Sequence, residues 1–144
     1  EPGREQIVKT GDRIPSFSVT MNDGRTVTPA DLAGAPSVIV FFTTRCGDCR
    51  RLLPVIQEVH EQRPDLNLVC ISREEDETMV NRYWADNSLT LPYSAQTDRT
   101  VYNLFANGGV PQTYVVNSDL IVIATFDDRQ TPTADQLIEL CYSR

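Results

Sequence analysis

Two cysteines stand three apart in Cys46-Gly47-Asp48-Cys49, and what such a pair can do depends on the element that carries it. If a helix opens there, positions i and i+3 share a face, so the two sulfurs can meet without backbone strain. The first thiol then lies beside unpaired backbone N–H groups and the positive end of the helix dipole, which favour its thiolate. The second lies one turn inward and more buried. Such a thiolate attacks a partner disulfide to form a mixed disulfide. The second thiol then displaces the partner and closes the pair. Cys46 is therefore read as the nucleophile and Cys49 as the resolving thiol. Zinc is the main competing use, and it needs about four ligands. The sequence has one histidine, His60, on the polar side of the same helix, and no second C-x-x-C. No metal and no cofactor are expected.

The flanking pattern supplies the positioning elements. Residues 37–43 are apolar on both faces and rich in β-branched types, which suits a buried central strand. A helix follows from Cys46 to about residue 63, with Leu52, Val55, Ile56 and Val59 at helical spacing and Pro64 ending it. Residues 66–72 read as the next buried strand, 77–87 as a helix, and 99–105 as a third helical stretch closed by Asn107-Gly108-Gly109, a left-handed cap signal. Residues 112–117 and 121–126 form a hairpin around Ser118-Asp119. Thr133, with Gln136 three residues on, begins the last helix through a capping box. Upstream, 17–21 and 26–28 flank the turn Asn22-Asp23-Gly24-Arg25, and Pro29-Ala30-Asp31-Leu32 reads as one helical turn closed by Gly34. A strand–helix–strand unit implies a parallel pair with a right-handed crossover, and the late hairpin adds an antiparallel part. The expectation is an α/β fold: a mixed central sheet with helices on both faces and an N-terminal β-hairpin extension. Residues 1–13 read as a tail and 14–144 as one domain.

Composition narrows the partners. The 144 residues are 40% hydrophobic and 23% charged, an ordinary globular balance. A net charge of -7 disfavours nucleic acid and anionic lipid surfaces. No apolar stretch reaches the length of a membrane span. Residues 1–10 carry neither a basic nor an apolar export region, so the protein is either cytosolic or lacks a signal already removed. Cys70 and Cys141 stand apart from the pair and are read as small buried hydrophobes. Pairing them would close a loop of about 70 residues and requires both on one face of the sheet.

Taken together, Val38–Phe42, the Cys46–Cys49 pair, Pro54 and Gly109-Val110-Pro111 before a strand resemble the thioredoxin superfamily. The prelude Gly11-Asp12-Arg13-Ile14-Pro15-Ser16-Phe17, with Asp23-Gly24 and Leu32-Ala33-Gly34, is similar to the TlpA/ResA-type extracytoplasmic thiol–disulfide reductases and their AhpC/TSA-like relatives. The resemblance implies a thioredoxin-like fold and a thiol–disulfide oxidoreductase that reduces disulfide-containing protein substrates. It also implies a membrane electron donor and an extracytoplasmic, periplasmic location, with any tether carried by a segment outside these residues. A monomer is expected.

By the same resemblance, Pro111 is a cis-proline beside the pair, and Val110 offers its backbone to an extended substrate strand. Arg45, Gly47 and Asp48 complete the substrate-facing loop. The departures are chemical. Arg45 replaces a common tryptophan and puts a cation beside the nucleophile. Asp48 replaces the proline of thioredoxin; it either opposes the Cys46 thiolate or simply suits a first helical turn. Val40 stands where many relatives bury an acid that assists the resolving thiol. Glu75, better aligned than Glu74, is its candidate substitute, unless 73–77 is a solvated charged loop. Asp127 and Asp128 end the last strand and read as solvated turn residues.

Two other functions remain open on sequence. Thr43 lies three before Cys46, as in the peroxiredoxin Thr-x-x-Cys pattern, but Ile39 stands where that pattern has proline, so a thiol peroxidase is the first alternative. A non-catalytic thioredoxin-like binding module with vestigial cysteines is the second.

Overall fold

The structure, a computed structural model, describes residues 7–143; the expected tail lies partly outside them, at 1–6. Twelve elements follow one another among the described residues. A small hairpin comes first, β1 (Val19–Thr20) with β2 (Thr26–Val27), then one turn of helix, α1 (Pro29–Leu32). The central unit is β3 (Ser37–Phe42), α2 (Gly47–Gln62) and β4 (Asn67–Ser72). Next come α3 (Glu77–Asp86), β5 (Tyr93–Ser94) and α4 (Tyr102–Phe105). Strands β6 (Gln112–Val116) and β7 (Val122–Phe126) precede α5 (Ala134–Tyr142).

The five-stranded sheet has the order β5-β4-β3-β6-β7. β3 pairs parallel with β4 and antiparallel with β6, so it sits at the centre, and all six of its residues are buried. That burial is what its unbroken apolar run requires, because side chains alternate between two covered faces. Phe41 points to one face, against Tyr102 and Phe105 of α4 and Tyr114 of β6. Phe42 points to the other, against Trp84 of α3. Helix α2 shares that second face, since its Arg50 lies over Tyr83 of α3, and α5 packs on α2. Two successive right-handed crossovers in one direction place α2 and α3 on the same side.

The expected architecture is therefore present, with three local differences. β5 was not anticipated: two residues behind Pro92 are too short for periodicity to reveal, and they join the sheet by pairing Tyr93 with Cys70. α4 ends at Ala106 in extended backbone, with φ -154 and ψ 168, not in a left-handed glycine cap. The loop after it is held by a side chain instead. Tyr102 Oη accepts from Gly108 N at 2.9 Å and donates to Gly109 O at 2.8 Å. Part of the expected tail also bonds to the domain. Ile7 and Val8 donate backbone N–H groups to Phe105 O, Gly11 donates to Val122 O, and Val8 is buried. Among the described residues, backbone bonds to the domain thus reach back to Ile7, within the expected tail. Two apolar residues among polar ones gave no strand pattern to mark it. The capping box of Thr133 and Gln136 forms as read.

Candidate active site

Cys46 is the N-cap of α2, with β-region backbone at φ -91 and ψ 126. Its sulfur accepts from the Cys49 backbone N–H at 3.2 Å, the role an N-cap oxygen usually fills. The sulfur thus sits at the end of α2 where backbone N–H groups are unpaired within the helix. The same sulfur lies 3.4 Å from Val110 O, to which the thiol donates. Val110–Pro111 is a cis peptide bond. Cys46 is half-buried and Cys49 fully buried, and both are thiols. Burial, aided by the adjacent Cys46 sulfur, pushes the Cys49 thiol far above the ordinary range, against the Thr43 backbone N–H and the Arg73 charge, which favour its thiolate. One thiol of the pair is presented and the other is held in reserve. Pro54 lies inside α2, one turn past Cys49.

The segment before Cys46 is pinned from two sides. Glu75 is buried, and its carboxylate accepts from Thr44 N at 2.6 Å and from Thr44 Oγ1 at 2.7 Å. Arg50 Nε donates to Thr44 O at 2.8 Å. Arg45, mostly exposed, keeps Nε 3.4 Å from Glu75 Oε2. Glu75 is thus buried against the segment that leads into Cys46, not set in a solvated loop. Its neighbour Glu74 does turn outward, at φ 60, and pairs with Arg99 at 2.8 Å. Left-handed backbone at Glu74 lets Arg73 and Glu75 serve different parts of the site.

Asp48 pairs with Arg51 one helical turn on, so much of its field is met by a cation before it reaches Cys46. Gly47 opens α2 and has room for a side chain, the nearest atom to an added Cβ being Arg51 Nη1 at 4.0 Å. Val40 pairs with Cys70 and Thr113 in the sheet, so β3 brings no acid beneath the cysteines. Asp127 is held below the usual carboxylate range by Arg129, as a turn residue would be. No group of acids, histidines and cysteines suited to a metal ion occurs among the described residues. A cleft of about 390 Å³ lies at the far end of α2, lined by His60, Pro64 and the β1–β2 hairpin, away from both cysteines.

Sequence reasoning overlooked Thr44 and Arg73. Nothing marks Thr44, whose role depends on a contact 31 positions away. Arg73 stood inside a charged run that looked solvated.

Cys70 and Cys141 are free thiols, Cys70 fully buried and Cys141 half-buried. Burial pushes Cys70 up to about 12 and Cys141 to about 11. In the unfolded chain a thiol ionises near 8.5. Above that pH the unfolded state binds fewer protons than the folded one, so the stability Cys70 supports is intact below about pH 8.5. It is then lost progressively as pH rises towards 12. The urea midpoint is expected to fall over that range, and less steeply in Cys70→Ala than in the parent. Iodoacetamide at pH 8 should leave Cys70 unlabelled until urea is added.

A mixed sheet of this order, with C-x-x-C where its central strand hands over to a helix and a cis X-Pro loop alongside, defines a thioredoxin-like dithiol protein. The chain belongs to the AhpC/TSA family, which matches over residues 10–125. Thiol-disulfide oxidoreductase ResA of Oceanobacillus iheyensis is 26% identical over 117 residues, covering 77% of this chain and 61% of that relative. This chain therefore spans less than two-thirds of that relative's length. Among solved structures, a thio-disulfide isomerase from Thermus thermophilus is 28% identical with a TM-score of 0.72, covering 91% of this chain and 92% of the other. A DsbF homologue from Corynebacterium diphtheriae, 22% identical with a TM-score of 0.76, covers 100% of this chain and 96% of its own.

Proposed function

We propose that this protein is a thiol–disulfide oxidoreductase that reduces disulfides in extracytoplasmic protein partners by cycling the Cys46–Cys49 pair. The observation that carries the reading is the asymmetry of the pair. Cys46 caps a helix and faces the Val110 carbonyl, while Cys49 is fully buried one turn below. A partner strand laid beside Val110 and Pro111 would bring its disulfide to the Cys46 sulfur, with Arg45, Gly47 and Asp48 at the rim. Cys46 takes one partner sulfur, and Cys49 then attacks Cys46 and frees it. Two electrons pass from the dithiol to the partner disulfide, and both partner sulfurs leave as thiols.

The reducing direction is supported by the likeness of the segment at residues 11–17 to the extracytoplasmic thiol–disulfide reductases. The relatives' names support the reaction class, and the location and a membrane electron donor follow from the extracytoplasmic reductases they resemble. A monomer suffices, since both cysteines and the Val110–Pro111 loop lie in one chain.

The deciding measurement is the Cys46–Cys49 reduction potential in dithiothreitol and glutathione buffers, with Cys70 and Cys141 replaced, alongside insulin reduction. A potential near the thioredoxin value, about -270 mV, supports the reading. One near about -120 mV makes the protein an oxidant. A pair that never closes overturns the reading in favour of a binding module, and rapid peroxide consumption would do so in favour of a peroxidase.

A further inference from the structure

Arg73 is the residue of this site that the dithiol cycle leaves without a task. β3 and β4 run parallel in register, with Phe42 opposite Ser72, and Arg73 N donates to Phe42 O at 2.9 Å. Arg73 and Thr43 are thus neighbours at the ends of adjacent strands. Thr43 in turn leads through Thr44 and Arg45 into Cys46, the N-cap of α2. From the end of β4 the Arg73 side chain crosses to the loop before Pro111. Its Nη1 donates to Gly108 O at 2.8 Å, and its guanidinium lies 5.0 Å from the centre of the Tyr102 ring. Tyr102 itself bridges Gly108 and Gly109. Two contacts therefore fix the guanidinium, while Nε is buried without a hydrogen-bond partner among the described residues. A buried cationic N–H left unpaired carries a desolvation cost that folding alone does not explain.

The geometry points to Arg73 as a positioning residue for the resolving step, its guanidinium clamped to the loop of Gly108, Gly109 and Val110 that also meets the Cys46 sulfur, so that its positive charge stands at the dithiol and the Cys49 thiolate can form within a buried site. This rests on the dithiol cycle proposed above. In that step Cys49 loses its proton to solvent and attacks Cys46 Sγ. The Cys46–partner disulfide bond breaks, and the partner leaves as a thiolate. Negative charge must pass through a sulfur that burial strongly disfavours, and a fixed cation lowers that barrier. The surroundings leave few other candidates. From its own helix Cys49 faces Cys46, which carries no charge while it is held in the mixed disulfide. From α3 it faces Tyr83, over which Arg50 lies at 5.6 Å. β3 contributes apolar Val40, and the Glu75 carboxylate is bonded to Thr44.

The test uses stopped-flow reaction with 5,5′-dithiobis(2-nitrobenzoate) on the full chain carrying Cys141→Ser. Attack by Cys46 releases one thionitrobenzoate in a reagent-dependent phase. Resolution by Cys49 releases the second in a phase independent of reagent concentration. If the parent shows no second phase, the dithiol cycle itself fails, whatever Arg73 does. If it does, Arg73→Gln, which keeps a donor for Gly108 but no charge, should slow that phase about tenfold at neutral pH. Its pH–rate curve should move to the alkaline side by about one unit. Arg73→Lys, which keeps the charge but not the fork, should hold the parent curve. A Gln variant with the parent curve overturns the inference, as does a Lys variant slowed as much as Gln, since either makes Arg73 a loop clamp alone. Should the Gln variant fail to fold, the Lys curve decides: parent-like supports the charge, and a tenfold loss overturns it.

Discussion

Cys46→Ser is expected to abolish reduction of a disulfide substrate, a fall on the order of a thousandfold or more, because no other thiol can take its place. Cys49 is fully buried, and burial holds it protonated far above neutral pH, so it cannot start the reaction from outside. Cys70 is also fully buried, and Cys141 lies on α5, remote in sequence from the Val110–Pro111 loop. Cys49→Ser should behave differently. The Cys46 thiol keeps its place at the N-cap, since the bond it accepts comes from the backbone N–H of residue 49 and survives the change. Attack on a partner disulfide should proceed, but nothing resolves the product. A stable mixed disulfide should accumulate, visible as a mass increase equal to one partner and removed by dithiothreitol. Equal loss of reaction in both variants, with no trapped partner, would contradict the nucleophile and resolver assignments.

How much of this site could be read from the sequence follows from how far apart its parts are. Cys46 and Cys49 were legible because the chemistry is local: three residues, one helix start, one dipole. The strands around them were legible because an unbroken apolar run such as 38–42 has no stable place except between two covered faces. Pro111 came only through resemblance, since nothing in a Gly-Val-Pro segment tells which strand end it will flank. Thr44, Arg73 and Glu75 owe their places to pairings across 31 to 35 positions. Local pattern contains no such information, and a run of five charged residues reads as solvated whichever of them is buried. β5 escaped for a related reason. Two residues cannot show a period, and their place depends on β4 offering a free edge.

Glu75 is the other residue whose replacement should have a large effect, and comparing two substitutions separates its bonds from its charge. Both carboxylate oxygens are engaged by Thr44, and the side chain is fully shielded from solvent. Glu75→Ala leaves the Thr44 N–H and hydroxyl without their acceptors in a buried place and opens a cavity. Two such losses at about 1–3 kcal/mol each, partly relieved by relaxation, should lower unfolding free energy by about 2–4 kcal/mol in urea titrations. Because Thr44 is two residues before Cys46, the variant should also slow disulfide exchange through a displaced nucleophile. Glu75→Gln can keep both contacts: its carbonyl accepts from Thr44 N, and its amide donates to the hydroxyl. It should therefore retain stability to within about 1 kcal/mol while losing the attraction for Arg45. If Gln matches the parent in exchange rate and Ala does not, Glu75 acts by holding the Thr44-Arg45 segment in place. If Gln is as slow as Ala while remaining as stable as the parent, the carboxylate has a direct part in moving the proton that Cys49 must release.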